Sequence, residues 1–256
     1  MIVNGQGDGR LMSTSQPRLG MPAARTSLAI KTKGNHPLIR TTAFAALALM
    51  VLPFAYYALE FGQRGLRNAL PEPHYLQSDL AVANFGIFLH MVFGGVITFL
   101  APIQLITQLR QRFPAVHRWS GRIIATAAII TAIGGLTYIV ARGTIGGWPM
   151  DAGFSLYGVL TLLTAVRAWQ LARRGNYLDH SKWALRFFWL AIGSWLYRVQ
   201  YGIWYLLTDG LWTTPEFTGA FDLAMMTGFY LPHLIGVEIY LRAKHNRRTK
   251  TQTRPI

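Results

Sequence analysis

The sequence has no cysteine. Disulfides, thiolate metal sites, iron–sulfur clusters and catalytic thiols are therefore excluded, and nothing marks a redox compartment. Acidic residues are scarce: 10 Asp and Glu stand against 25 Lys and Arg in 256 residues. Charged residues make up 14 % of the chain, where a typical soluble domain carries about 25 %. No His-Glu-x-x-His, Gly-x-Ser-x-Gly or Walker segment occurs, and no Gly-x-Gly-x-x-Gly opens a helix after a strand. No carboxylate pair falls at the centre of an apolar run. That argues against an acid-pair enzyme and against a carboxylate-based proton pump.

What the chain does have is apolar runs. Hydrophobic residues make up 52 % of it, gathered into stretches of the length that crosses about 30 Å of hydrocarbon. Six spans are read, at about residues 39–59, 82–108, 119–141, 152–172, 183–207 and 220–241. Pro53 lies inside the first and should kink it. A loop from Phe61 to Asp79, with Pro71, Pro73, His74 and Tyr75, separates the first two. The turn between the second and third is short, so those helices are antiparallel neighbours. The expected fold is an all-α polytopic integral membrane bundle of six transmembrane helices, with a four-helix core formed by spans two to five. Residues 1–38 read as a disordered basic tail, residues 39–242 as the membrane domain and residues 243–256 as a second basic tail.

The net charge is +15, which in a soluble protein would suggest nucleic acid. Here the basic residues flank apolar runs, and the tails lack aromatic interleaving on a folded surface, so no nucleic-acid partner is expected. Membrane lipids are the expected partners. Twenty-one of the 25 Lys and Arg fall in the two tails, in the second-to-third and fourth-to-fifth turns, or at the span ends that adjoin them. That bias places both termini in the cytoplasm, with the chain in the cell (inner) membrane.

A faint parallel repeat relates two hairpins. Each ends in a helix that begins with His, a cation and Trp: His117-Arg118-Trp119 and His180 with Lys182-Trp183. The two histidines then share one cytoplasmic depth.

His90 with its following glycines, Ala101-Pro102-Ile103-Gln104, Pro114, His117-Arg118, Gly121-Arg122, His180, Lys182-Trp183, Arg186 and Arg198 form a spaced set. With these features the segment from His90 to Arg198 resembles the DUF2306 family of predicted bacterial membrane proteins. The resemblance implies a membrane bundle, with a family-like core at about residues 82–207, and supplies no reaction. Members usually read Trp-Met after the second His and its basic residue; this chain has Trp183-Ala184.

Two functional readings follow from the polar residues. In the first, His117 and His180 act as axial iron ligands of a haem b, with His90 and His233 as further cofactor-binding candidates. The protein would then transfer electrons, with quinone or another membrane redox protein as partner. In the second, the chain is a small-molecule or lipid transporter or binding protein. Its ligand-binding candidates are His90 and Arg198 in an intramembrane pocket, with Arg118 and Lys182 at helix starts. His90 lies about 12 Å and Arg198 about 13.5 Å inside their outer span ends, so the two share a depth. An Arg at that depth costs about 2.5–3.5 kcal/mol or more unless it snorkels or is paired. Asp79, Asp151, Asp209 and Asp222 lie nearer the outer boundary and are the carboxylates to which it could reach. A third reading is a structural membrane protein without chemistry. Within the sixth span, Pro232 frees a carbonyl that His233 or a water could satisfy, and Glu238 could pair with Arg242 at i+4. The Gly94-Gly95 and Gly134-Gly135 pairs allow close helix approach.

Overall fold

The structure, a computed structural model, describes residues 37–69, 76 and 79–252. Most of the expected N-terminal tail, the loop positions around His74 and residues 253–256 lie outside the described residues. The described chain is helical: α1 (Pro37–Leu66), α2 (Ala81–Gln104), α3 (Thr107–Arg112), α4 (Pro114–Arg142), α5 (Gly147–Arg173), α6 (Tyr177–Ala191), α7 (Gly193–Thr208), α8 (Ala220–Gly228) and α9 (Leu231–Gln252). The fold is an all-α membrane bundle, as the apolar runs require.

The helices α2, α4 and α5 and the α8–α9 stretch Ala220–Arg247 are each long and apolar enough to cross a bilayer. The expected count of six rests on two more. The first is α1, whose 30 residues rise about 45 Å. The second is α6 and α7 in tandem. Their 15 and 16 residues rise about 23 Å each, so neither alone covers about 30 Å of hydrocarbon.

Several boundaries differ from the expected ones. α1 continues to Leu66, past the expected end near residue 59, and a Glu60–Arg64 pair at 2.6 Å staples its last turns. α2 stops at Gln104 rather than near residue 108, because Ile106 turns extended at φ −71, ψ 103. The short α3 then fills the basic turn, and Pro114 opens α4 at a position where a missing N–H costs nothing.

The fifth and sixth apolar runs are both interrupted. The fifth breaks at Ile192, with φ −95 and ψ 1, between α6 and α7. The sixth breaks at Phe229–Tyr230, and the new helix starts at Leu231 with Pro232 in its first turn. Proline has no N–H to return to the carbonyl four residues back, so a fresh helix start is the natural outcome. Both breaks meet one aromatic cluster, in which buried Leu190, Phe229 and Tyr230 pack with Phe154, Tyr157 and Tyr197. The carbonyl of Leu190, at the α6 end, accepts a hydrogen bond from Tyr157 Oη at 2.6 Å. In hydrocarbon an unsatisfied carbonyl is costly, so a tyrosine reaching across from α5 is what makes this break tolerable.

α2 is the hub, with α1 on one side and α4 on the other. Its crossing with α4 is backbone on backbone. A Cβ at Gly134 would lie 2.4 Å from Gly86 O, so neither glycine has room for a side chain. Lipid tails supply no hydrophobic drive between helices, and close approach of small residues is what holds them together.

Candidate functional site

α1, α2, α4, α5, α6 and α7 enclose a cavity of about 280 Å³ beside the two helix breaks. Its wall is mostly apolar, with Ile87, Met91, Leu136 and Phe154 among the lining residues. The polar groups converge on it from different helices: His90 from α2, Thr131 from α4, Tyr157 and Thr161 from α5, and Ser194, Tyr197 and Arg198 from α7. Mostly apolar walls with a few convergent polar groups are the usual make-up of a ligand site.

His90 is held by α4. Its Nδ1 sits 2.9 Å from Thr131 O, and a carbonyl only accepts, so Nδ1 carries a proton. Gly135 makes room for the ring, since a Cβ there would lie 2.7 Å from Nδ1. Nε2 makes no hydrogen bond to any described residue. With Nδ1 fixed as the donor, Nε2 of the neutral ring is an acceptor open to a ligand.

Arg198 lines the same cavity as His90. Its Nη1 donates to Ser194 O at 3.0 Å, one turn back, and the guanidinium lies 4.6 Å over the Phe54 ring of α1. Among the described residues no carboxylate is in ion-pair range of it. The two best-placed aspartates are occupied elsewhere. Asp151 accepts from Thr144 N and Oγ1, each at 2.7 Å. Asp222 is buried and accepts from Tyr201 Oη at 2.7 Å, Thr214 N at 2.9 Å and Gly219 N at 3.0 Å.

The remaining candidates lie outside the cavity. His117 and His180 stand in the first turns of α4 and α6. His180 Nδ1 is 2.8 Å from Ala168 O, and His117 Nδ1 is buried without a partner among the described residues. Arg118 is exposed beside His117. Lys182 donates to Asp179 at 2.8 Å. That hydrogen bond, helped by the Asn176 amide, holds the Asp179 carboxyl below its ordinary range, so the Lys182 charge is already partnered. His233 stacks on Trp189, with ring centroids 5.1 Å apart. Glu238 pairs with Arg186 of α6 through two hydrogen bonds, not with Arg242 as expected from spacing. The pair joins α6 to α9 across 52 residues of sequence, and Arg186 also lies over the Trp183 ring at 4.9 Å.

Gln104 has a structural task that spacing did not reveal. Its Nε2 donates to Ser120 Oγ at 2.6 Å and tethers the end of α2 to the start of α4. Tyr157 was missed as well. Nothing in the sequence around it marks it, and only the break opposite explains it.

The model of a family described as a predicted membrane protein, DUF2306, matches residues 87–240, well over half of the chain. The chain belongs to the DUF2306 family. The match runs from α2 into α9 and so takes in every cavity helix except α1. DUF2306 carries a description of location and no reaction, so the chemistry has to come from the cavity. No curated protein matches the chain, and no solved structure does.

Proposed function

We propose that this DUF2306 protein binds a small ligand from the membrane in the His90/Arg198 cavity, as a transporter or binding protein. One observation carries the reading. Among the described residues, a guanidinium without a carboxylate partner and an imidazole Nε2 without a hydrogen bond line one mostly apolar cavity. An arginine held in hydrocarbon at a cost of about 2.5–3.5 kcal/mol or more is a functional candidate by default. Helices interrupted beside the site fit the same reading, because transporters build substrate sites at discontinuous spans. We place both termini, and hence the His117/His180 end, in the cytoplasm on the strength of the basic residues.

The test is to purify the protein from its native membrane in mild detergent, extract it with organic solvent and analyse the extract by mass spectrometry. The wild type is expected to carry a small molecule that His90→Ala loses while keeping its melting temperature within a few degrees. Identical extracts from both proteins contradict the reading.

A second reading keeps a haem b between His117 and His180. It is favoured by one observation: Nδ1 of His180 is fixed on Ala168 O, which leaves Nε2 for a metal. When bound, the group would supply one-electron chemistry. Its test is the visible spectrum of protein from haem-replete cells. A Soret band abolished by His180→Ala supports it, and a colourless folded protein removes it.

A further inference from the structure

We infer that the cavity opens sideways to the bilayer between α1 and α7, and that its occupant is a single-chain carboxylic acid. The acid would place its carboxyl group at Arg198 and His90 and leave its tail in the lipid. This rests on the reading of the cavity as a ligand site.

The mouth is located by Arg198. It lines the cavity and is nevertheless exposed, so it stands where the cavity meets the outside. Its guanidinium lies over Phe54, so the two edges of the opening are α7 and α1. The seam between those helices is thin, because α1 packs chiefly on α2. On the basic side the seam is pinned one turn away, where Trp195 Nε1 donates to Met50 O at 3.1 Å. On the other side it is open. Gly202, one turn beyond Arg198, would have nothing within 4 Å of an added Cβ. Tyr56 and Tyr57 on α1 and Ile203 on α7 are exposed.

The ligand class follows from charge, donors and size. Among the described residues the cavity lining has one permanent cation and no carboxylate, which favours a head group with one negative charge or less. A doubly charged phosphate would need a second cation. A carboxyl group matches both partners. One oxygen accepts from the guanidinium fork. The other shares a proton with Nε2 of His90, whichever of the two holds it. The proton is the acid's own, so no co-reactant is needed, and the occupied site keeps the single positive charge of the guanidinium. At about 280 Å³ the cavity is at the lower bound for a drug-sized ligand, about 300 Å³, so a longer chain must leave through the mouth.

The experiment uses the full chain in phosphatidylcholine nanodiscs with a palmitic acid bearing a diazirine on its tail. Photolysis should label peptides of α1 and α7. Free palmitic acid should compete, and methyl palmitate, which lacks the shared proton, should compete at least about tenfold less well. Gly202→Trp, which fills open space, should reduce labelling about tenfold without changing the melting temperature. Equal competition by the methyl ester overturns the carboxyl assignment, on wild-type protein and without any variant. Full labelling of a folded Gly202→Trp protein overturns the lateral mouth. Absent labelling alongside a different copurified molecule overturns the acid and leaves the cavity reading standing. Absent labelling with no copurified molecule overturns both.

Discussion

Replacing Gly134 by alanine is expected to destabilise the protein in detergent by about 3 kcal/mol, the upper end of the range for overpacking. The added Cβ would lie 2.4 Å from Gly86 O and 3.2 Å from His90 N. Both contacts are backbone, so no flexible side chain can turn away. α2 and α4 must separate, and with them the hydrogen bond from His90 Nδ1 to Thr131 O. The variant therefore loses stability and His90 geometry together. Thermal unfolding followed by circular dichroism measures the first. Gly202→Ala is the control: nothing lies within 4 Å of its Cβ and alanine favours the helix by about 0.5–1 kcal/mol over glycine, so its midpoint should equal or slightly exceed the wild type's. Equal midpoints for the wild type and Gly134→Ala would show that the α2–α4 crossing is not as close as described.

Arg198→Lys should lower occupancy of the cavity at least about tenfold, which is about 1.4 kcal/mol, and Arg198→Ala should lower it little further. The substitution keeps the charge but loses the planar fork. Truncating one partner of a hydrogen-bonded charge pair costs about 2–5 kcal/mol, so the effect is large enough to read by quantifying the copurified molecule. The lysine also loses the flat guanidinium face that rests on Phe54. Full occupancy in Arg198→Lys would mean that only a positive charge is needed there, and the two-point head-group geometry would fall.

The bundle itself was legible because hydrocarbon leaves helices as the only spanning structure for apolar runs of this kind. α2, α4 and α5 coincide with the runs that suggested them, give or take a few residues. The interruptions were harder to see. At Ile192 no proline announces the break, and Gly193-Ser194 reads equally well as a packing site. What fixes the break is long-range: a Cβ at Gly193 would lie 2.9 Å from the Tyr157 ring, so this glycine admits the tyrosine that caps Leu190 O. Pro232 did mark the second break, although its consequence for the span, a restart at Leu231, depends on the aromatic cluster beneath it.

Of the candidate residues, depth counted along the helix put His90 and Arg198 at one level, and the structure sets both on one cavity wall. Helical rise fixes depth from sequence alone. Which side of a helix faces a cavity is decided by neighbours far away in the chain. Hence Glu238 found Arg186 rather than Arg242, and Gln104 found Ser120. Hence also Arg118, Lys182 and His233, polar residues equally conspicuous in the sequence, lie away from the cavity.

The central claim is that the space between α2, α5 and α7 is a ligand site with its polar end at His90 and Arg198. An experimental density map of the protein purified from its native membrane tests this most directly. The account predicts a continuous non-protein density that begins within hydrogen-bond distance of His90 Nε2 and the Arg198 guanidinium and extends along the apolar wall towards the α1–α7 seam. A cavity filled by rearranged side chains, with Arg198 turned out to a carboxylate or to headgroups, would contradict it.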